Sequence, residues 1–417
     1  MPEFDCDLQL HGCYASGVSK HLSIPSLAQN AQLKGLDVLV TADIQHAKWF
    51  QHVKENLKET SNGIFQDERE QAYFIVGTEV ESQDRAHHLA YFPDLPSAQI
   101  FRKEVEGKGI LDCVMCGRPK LHMMPEAIAQ AVEKAGGIFG PSHAFTPYFG
   151  VYAHFDSAKK AYGEMGEKIA FLELGLSADS ELADQIAENN SYVFLSSSDA
   201  HSAWPHRLGR EFNRMEMKEP SFKELKKSIE GKKMVFNAGL NPREGKYHLT
   251  ACNACYTHYT YADALKLGMK CRKCGSPIKR GVKDRILELS GPDAKPPSWR
   301  APYKHLLPLA EIIQLRYEVQ SPTSSSVQEK WKQFVNAFEN EISVLLDVPL
   351  EELEKTDAEI ARHIQLFRED KVLYVAGGGG NYGKPLFIFD DAEREKKKRE
   401  IEAEETGLRG QKSLGEF

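Results

Sequence analysis

Residues 73–92 read YFIVGTEVESQDRAHHLAYF. Two runs rich in β-branched and aromatic residues flank a short polar stretch, and each has the length and composition of a strand buried on both faces, so strands are expected at 73–77 and 88–92. The first run ends near Glu79 and the second opens near His87 and His88. A carboxylate and two imidazoles beside buried strands cost several kcal/mol unless something satisfies them. Whether the rest of the chain repeats this arrangement decides the fold.

It does repeat. Short apolar runs at 5–10, 38–41, 137–140, 169–174, 192–196 and 234–236 alternate with helix-period stretches at 26–34, 125–135, 180–189 and 221–230. This is the pattern of strand, helix, strand units around a mostly parallel sheet, a barrel or a doubly wound core spanning residues 1–245. Gln9, His11, Asp43, Glu79, His87, His88, His143, Glu173, Asp199 and His201 all fall within or just past a strand. One polar residue at a strand end is ordinarily a turn or a cap. A series of them converging on one barrel face is explained by a shared metal cluster, with imidazoles and carboxylates as ligands for zinc, manganese, iron or magnesium. Such a multi-metal centre activates water and stabilises charge at a phosphodiester.

The chain has 417 residues, 41% hydrophobic and 27% charged, with a formal net charge of −7. That length allows two to four domains with a sizeable core, and the composition excludes a disordered, collagen-like or coiled-coil chain. The global charge is no attractant for nucleic acid, so any such contact has to come from local basic patches. No stretch approaches about 18 consecutive apolar residues and the start lacks a signal pattern, which predicts a cytoplasmic protein with no membrane association.

Residues 246–290 form a different unit. Cys252-x2-Cys255 is followed after fifteen residues by Cys271-x2-Cys274, two knuckles that make a closed structural zinc site. Arg272, Lys273, Lys279 and Arg280 surround it, interleaved with Tyr256, Tyr259 and Tyr261, a composition suited to phosphate contact and base stacking or to a solvated basic face. Cys113 and Cys116 are a lone CxxC without a partner pair, and Cys6 and Cys13 read as small buried residues.

A Gly/Pro-rich linker near 291–297 opens a mainly helical domain over 291–391, with helices expected at 306–316, 327–345 and 357–367. Its glycine-rich segment 377–384 nearly matches a nucleotide-binding loop, but Pro385 stands where a magnesium-binding hydroxyl is needed and an apolar run follows in place of a helix. Nucleotide hydrolysis is excluded. The segment either offers backbone amides, with Lys384, to a DNA phosphate or is a plain hairpin turn. Residues 392–417 are a charged helical stretch and a tail.

The motifs Asp7-Leu-Gln-Leu-His11, Thr41-Ala-Asp43, Gly77-Thr-Glu79, His88-Leu89, Pro141-Ser-His-Ala144 and Asp199-Ala-His201 resemble the ordered motifs of the PHP phosphoesterase superfamily. Gly35-Leu36, Lys48-Trp49, residues 76–81, His143-Ala-Phe-Thr-Pro147, residues 173–178, the cysteine insert and residues 377–384 are similar to its endonuclease Q family. The resemblance implies a distorted (β/α)7 barrel binding two to three divalent metals through Gln9, His11, Asp43, Glu79, His88, His143, Asp199 and His201. Glu79 would bridge two ions, and Asp199, Glu79 and His143 would be catalytic. It further implies a DNA repair endonuclease cutting 5′ of deaminated bases (hypoxanthine, uracil, xanthine) and of abasic sites. Gln9 departs from the superfamily pattern, which has His there.

Two rival readings remain, a small-molecule phosphatase and a non-catalytic lesion-sensing DNA-binding protein. The carboxyl end, Gln411-x-x-Leu414-x-x-Phe417, resembles the peptide that binds sliding clamps and favours an archaeal source.

Overall fold

The computed structural model describes residues 1–61 and 63–410. The strands are β1 (Glu3–Asp7), β2 (Val38–Val40), β3 (Leu57–Ser61), β4 (Ile64–Asp67), β5 (Tyr73–Glu81), β6 (His87–Phe92), β7 (Ile138–Pro141), β8 (Phe171–Glu173), β9 (Val193–Leu195), β10 (Phe212–Glu216), β11 (Met234–Gly239), β12 (Ala251–Cys252), β13 (Ile278–Lys279), β14 (Tyr303–His305), β15 (Leu373–Val375) and β16 (Lys384–Leu386). The main sheet runs β14-β11-β10-β1-β2-β5-β4-β3, with β6 added to β5 and β7 to β6.

The sheet is mixed where the sequence pattern suggested mostly parallel. β1, β2 and β5 are parallel, as are β8 and β9, but β5, β6 and β7 are antiparallel. The reason is the connection after Glu81, because a parallel crossover takes a dozen or more residues and only residues 82–86 are available. Asp84 closes that hairpin by accepting from the Ser82 hydroxyl at 2.6 Å and the Ala86 amide at 3.0 Å.

Isolated hydrogen bonds close β1, β2, β5, β6, β7, β8 and β9 into a distorted ring. Ala170 N–H donates to Phe139 (3.0 Å) and Ala144 N–H to Glu173 (2.8 Å), joining β7 to β8. Asp199 N–H donates to the Gln9 carbonyl (3.0 Å) and His11 N–H to Ala200 (3.1 Å), joining the chain after β9 to that after β1. On the opposite side, side-chain amides of Asn213 and Asn237 replace the missing ladder, bonding the backbone of Phe194 and Ser196.

The helical region shares the barrel's hydrophobic core, and its first strand, β14, pairs with β11. Three residues carry too little periodicity for the sequence to reveal that strand. The buried Lys34 ammonium bonds Glu341 at 2.6 Å and the Pro205 carbonyl at 2.9 Å, while Glu341 also accepts from Trp331 at 2.6 Å. A buried ion pair this fully hydrogen-bonded avoids the desolvation penalty of a lone charge. The four-cysteine unit has its own small core of Cys252, Ala264, Cys271 and Ile278. Among the described residues no helix is long and apolar enough to cross a membrane.

Candidate metal centre

Loops after four of the strands deliver polar side chains to one end of the barrel: His11 after β1, Asp43 after β2, His143 after β7, Asp199 and His201 after β9. Reversal of β6 brings its first residue, His87, to the same end as Glu79 near the close of β5. Asp43, His143 and Asp199 all have positive φ (32°, 27° and 48°), a conformation costing about 1–3 kcal/mol each that the surroundings must enforce. The fully buried Trp49 does so for Asp43, its indole donating to the carbonyls of Thr41 at 2.8 Å and Ala42 at 3.1 Å. Glu173 does so for His143, accepting its backbone N–H and that of Gly175. Burial pushes the Glu173 carboxyl well above its ordinary pKa.

Two groups of donors face each other across Glu79. His11, Asp199 and His201 form one, and Glu79, His87 and His143 the other; within each group the donor atoms lie within 4.8 Å of one another. Glu79 Oε2 is 3.1 Å from His11 Nε2, and Oε1 is 2.9 Å from His87 Nδ1 and 3.2 Å from His143 Nε2. His11 Nε2 is also 3.1 Å from Asp199 Oδ1, and its Nδ1 is 3.1 Å from Asp43 Oδ1. Burial raises the Glu79 pKa, but Arg118, His87 and His11 together hold it well below the usual range.

These short separations are largely not hydrogen bonds. His11 Nε2, Glu79 Oε2 and Asp199 Oδ1 are buried without a well-directed partner, and two imidazole nitrogens, His87 Nδ1 and His143 Nε2, face each other at 3.0 Å beside Glu79 Oε1. Lone pairs that converge on common points instead of on donors are what a cation requires. The residues fit a pair of divalent ions with Glu79 between them.

Of the expected ligands, His11, Glu79, His143, Asp199 and His201 are gathered in these groups, and Asp43 stands behind them, bonded to His11 Nδ1. His88 is elsewhere: its ring nitrogens meet the Tyr162 hydroxyl (2.6 Å) and the Ser82 hydroxyl (2.9 Å), and burial brings its pKa down to about 3. His87 stands in the cluster instead. In the register, Glu81 faces His87 and Val80 faces His88, so His87 shares the face of Glu79. Gln9 lies buried with both amide atoms unpartnered. Sequence reasoning also missed Arg118, whose guanidinium is 3.7 Å from Glu79 Oε2.

Comparison with known proteins places this geometry. The crystal structure of the lesion-specific endonuclease PfuEndoQ from Pyrococcus furiosus superimposes with a TM-score of 0.88 at 43% identity, covering 93% of this chain and 96% of that one. The chain belongs to the endonuclease Q family. A second endonuclease Q structure, in complex with a 27-mer duplex substrate carrying an abasic lesion at the active site, matches with a TM-score of 0.86 at 43% identity over 93% of this chain and 97% of that one. Protein YqxK of Bacillus subtilis is 28% identical over 86% of this chain and 90% of its own length. Protein MJ0043 of Methanocaldococcus jannaschii is 45% identical over 59% of this chain, and the match spans 31% of that longer protein. The MJ0043 C-terminal domain family matches residues 308–371.

In this endonuclease Q chain the second metal-ligand set is equally clear. Cys252 Sγ lies 3.5 Å from Cys274 Sγ, and Cys255 Sγ 3.5 Å from Cys271 Sγ, with all four thiols free. Arg272 and Lys273 are exposed on the second knuckle, and Lys279 sits 3.6 Å over the Tyr148 ring. Arg280 is engaged within the protein, pairing with Glu288 at 2.6 Å. A cavity of about 400 Å³ separates the barrel loop from the module, lined by Phe145, Tyr148, Tyr152, Lys279 and Arg285 among others.

The glycine-rich segment is a hairpin loop between β15 and β16, docked on residues 243–249. The amides of Gly377, Gly378, Gly380 and Gly383 donate to Arg243, Asn381, Lys246 and Glu244, which leaves none of these four for a phosphate. A Cβ at Gly379 would lie 2.1 Å from the Cys252 carbonyl, and one at Gly383 2.1 Å from that of Arg243, so close approach explains these glycines. Lys384 is exposed. The terminal helix, Asp391–Gly410, is held by Glu405, which bonds Arg243 at 2.9 Å and Lys283 at 3.2 Å. Gln411, Leu414 and Phe417 lie outside the described residues. Cys6 is buried, Cys13 is half-buried, and Cys113 and Cys116 are joined in a disulfide.

Proposed function

We propose that this chain is a metal-dependent DNA repair endonuclease that hydrolyses the phosphodiester 5′ of deaminated bases (hypoxanthine, uracil, xanthine) and of abasic sites. The observation that carries the reading is the buried, partnerless donor set around Glu79 in a chain that is 43% identical, over 93% of its length, to a lesion-specific endonuclease. His11, Asp199 and His201 would hold one divalent ion, and Glu79, His87 and His143 a second. Zinc, manganese, iron or magnesium suits these ligands, and Gln9 offers an oxygen to a further ion. Ions there supply positive charge that activates water and stabilises the charge developing on the phosphodiester.

Asp43 fixes the His11 ring through Nδ1 and anchors the Gly12 amide at 2.6 Å. Asp199, at the edge of the cluster, orients the attacking water and accepts its proton. The four thiols hold a structural zinc with no open position. Arg272, Lys273, Lys279 and Lys384 contact DNA phosphates, with Arg280 as a supporting charge. The target nucleotide leaves the stack, and the cavity lined by Phe145, Tyr148, Tyr152 and Lys279 suits a base presenting a carbonyl where an amine is normal. The protein works in the cytoplasm on the nucleoid, and Gln411, Leu414 and Phe417 engage a sliding clamp.

One experiment separates this from the rival readings: incubation with hypoxanthine-containing DNA, with a free phosphomonoester, and with several divalent metals. Strand cleavage that depends on lesion and metal supports the endonuclease. Turnover of the phosphomonoester alone supports a phosphatase, and DNA binding without turnover a lesion sensor.

A further inference from the structure

The loop over residues 110–118 is bolted down at its root and bare at its tip. At the root Leu111 is buried, and Asp112 accepts from the Ala47 amide at 2.7 Å and pairs with Arg102 at 2.6 Å. The Cys113 carbonyl meets His46 Nε2 at 3.1 Å, and Cys116 bridges to Ala15. Gly117 donates to the Tyr14 carbonyl at 3.0 Å and passes so close to Asp43 that a Cβ there would lie 2.5 Å from its Oδ2. Arg118 then reaches Glu79. The tip is Val114-Met115, closed into a small ring by the Cys113–Cys116 disulfide, and the two side chains are 80% and 65% exposed. Ile110 beside them is 71% exposed. Val114 and Ile110 are the most exposed large apolar side chains among the described residues.

We infer that Val114 and Met115 form a wedge that enters the base stack of duplex DNA beside the scissile phosphate. The inference rests on the endonuclease reading of the metal centre. At most about 7 Å of chain separates Met115 from Gly117, which packs close to Asp43, the carboxylate bonded to His11. DNA with its scissile phosphate at the metals therefore brings its base steps to this tip. Apolar side chains of this kind unstack base steps, which an enzyme acting on one nucleotide inside a duplex has to achieve. Basic residues flank the loop: Arg102 pairs with Asp112, Arg118 with Glu79 and Lys120 with Glu81. The disulfide keeps the tip from folding back onto the protein, so its apolar surface stays available.

The test compares wild type with a Val114→Ser, Met115→Ser double variant on the same hypoxanthine oligonucleotide, single-stranded and in duplex, with 2-aminopurine beside the lesion. The ratio of duplex to single-strand incision is expected to fall at least about tenfold, because only the duplex presents a stacked step to open. The 2-aminopurine fluorescence rise on binding duplex should disappear with it. An unchanged ratio, or a retained fluorescence rise, overturns the wedge. Wild type that cuts neither substrate overturns the endonuclease reading itself, a distinct result. Both positions are exposed, and metal content equal to wild type confirms that the fold is intact.

Discussion

The barrel centre and the four-cysteine module are both candidate metal sites, but they are assembled in opposite ways. The barrel draws its donors from positions scattered between His11 and His201, one or two per strand end, each held by groups that are not ligands: Trp49 behind Asp43, Glu173 behind His143, the Gln9 carbonyl behind Asp199. The module takes all its donors from Cys252 to Cys274, and two of its four core residues, Cys252 and Cys271, are the ligands themselves. The barrel's fold precedes its site, so its metals can be lost or exchanged without unfolding it. In the module half of the core residues are cysteines of the cluster, so a zinc held there would make folding and ligation one event. Chemistry belongs in the first kind of site, where strain and open positions are tolerated because a large apolar core maintains them.

The comparison is sharpened most by removing donors from the barrel. Asp199→Asn and His143→Ala should each lower incision by more than about 100-fold, since even residues that only orient metal ligands cost 10–100-fold when changed. DNA affinity and thermal stability should stay near wild type. Incision rates, filter binding and metal analysis on one preparation check this, and retained cleavage with unchanged metal content would contradict the assignment.

Cys252→Ser should do the reverse. Structural zinc contributes about 10–16 kcal/mol of apparent binding energy in small zinc modules, so loss of one thiolate should unfold residues 246–290 and leave the barrel folded. Limited proteolysis should find new cuts confined to the module, with the zinc stoichiometry reduced. A variant with its full zinc complement would break the contrast between the two sites.

How much of each site was legible follows from the same difference. The cysteine module could be read outright, because its ligands are local and their spacing is the geometry. The barrel's ligand types were visible as polar residues at strand ends, yet choosing between His87 and His88 required knowing that residues 82–86 form a hairpin, which fixes which side of β6 faces Glu79. Arg118 left no signal, because a non-periodic loop brings it to Glu79. β14 was too short to register, and the glycines at 377–383 were explained by close backbone contacts that no local pattern encodes.

A smaller effect is expected at the surface of the module. Replacing Arg272 and Lys273 with Ala should weaken binding to damaged and undamaged DNA alike and reduce the salt dependence by about two units of slope, since each phosphate contact contributes about 0.9. Titrations from low to physiological salt measure it. A loss restricted to one lesion would show base reading in place of phosphate contact.

The smallest effect is expected at Gln9, which stands where the motif pattern that the sequence resembles has His. Gln9 is buried, its backbone carbonyl is fixed by the Asp199 amide, and its side-chain oxygen and nitrogen both lack partners. A buried amide left that way costs about 1–3 kcal/mol, a penalty relieved when the oxygen meets a cation. A neutral amide oxygen is a weak ligand for a zinc-like ion, so the ion beside it should exchange readily while those around Glu79 persist. Gln9→His supplies a stronger nitrogen donor two residues from His11. It should leave incision within about threefold of wild type, well below the cost of altering a group that orients a metal ligand, and retain more metal after dialysis against a chelator. Elemental analysis before and after dialysis, with incision rates on the same samples, gives the answer. Loss of activity with metal retained would show that the Gln9 amide serves the substrate and not an ion.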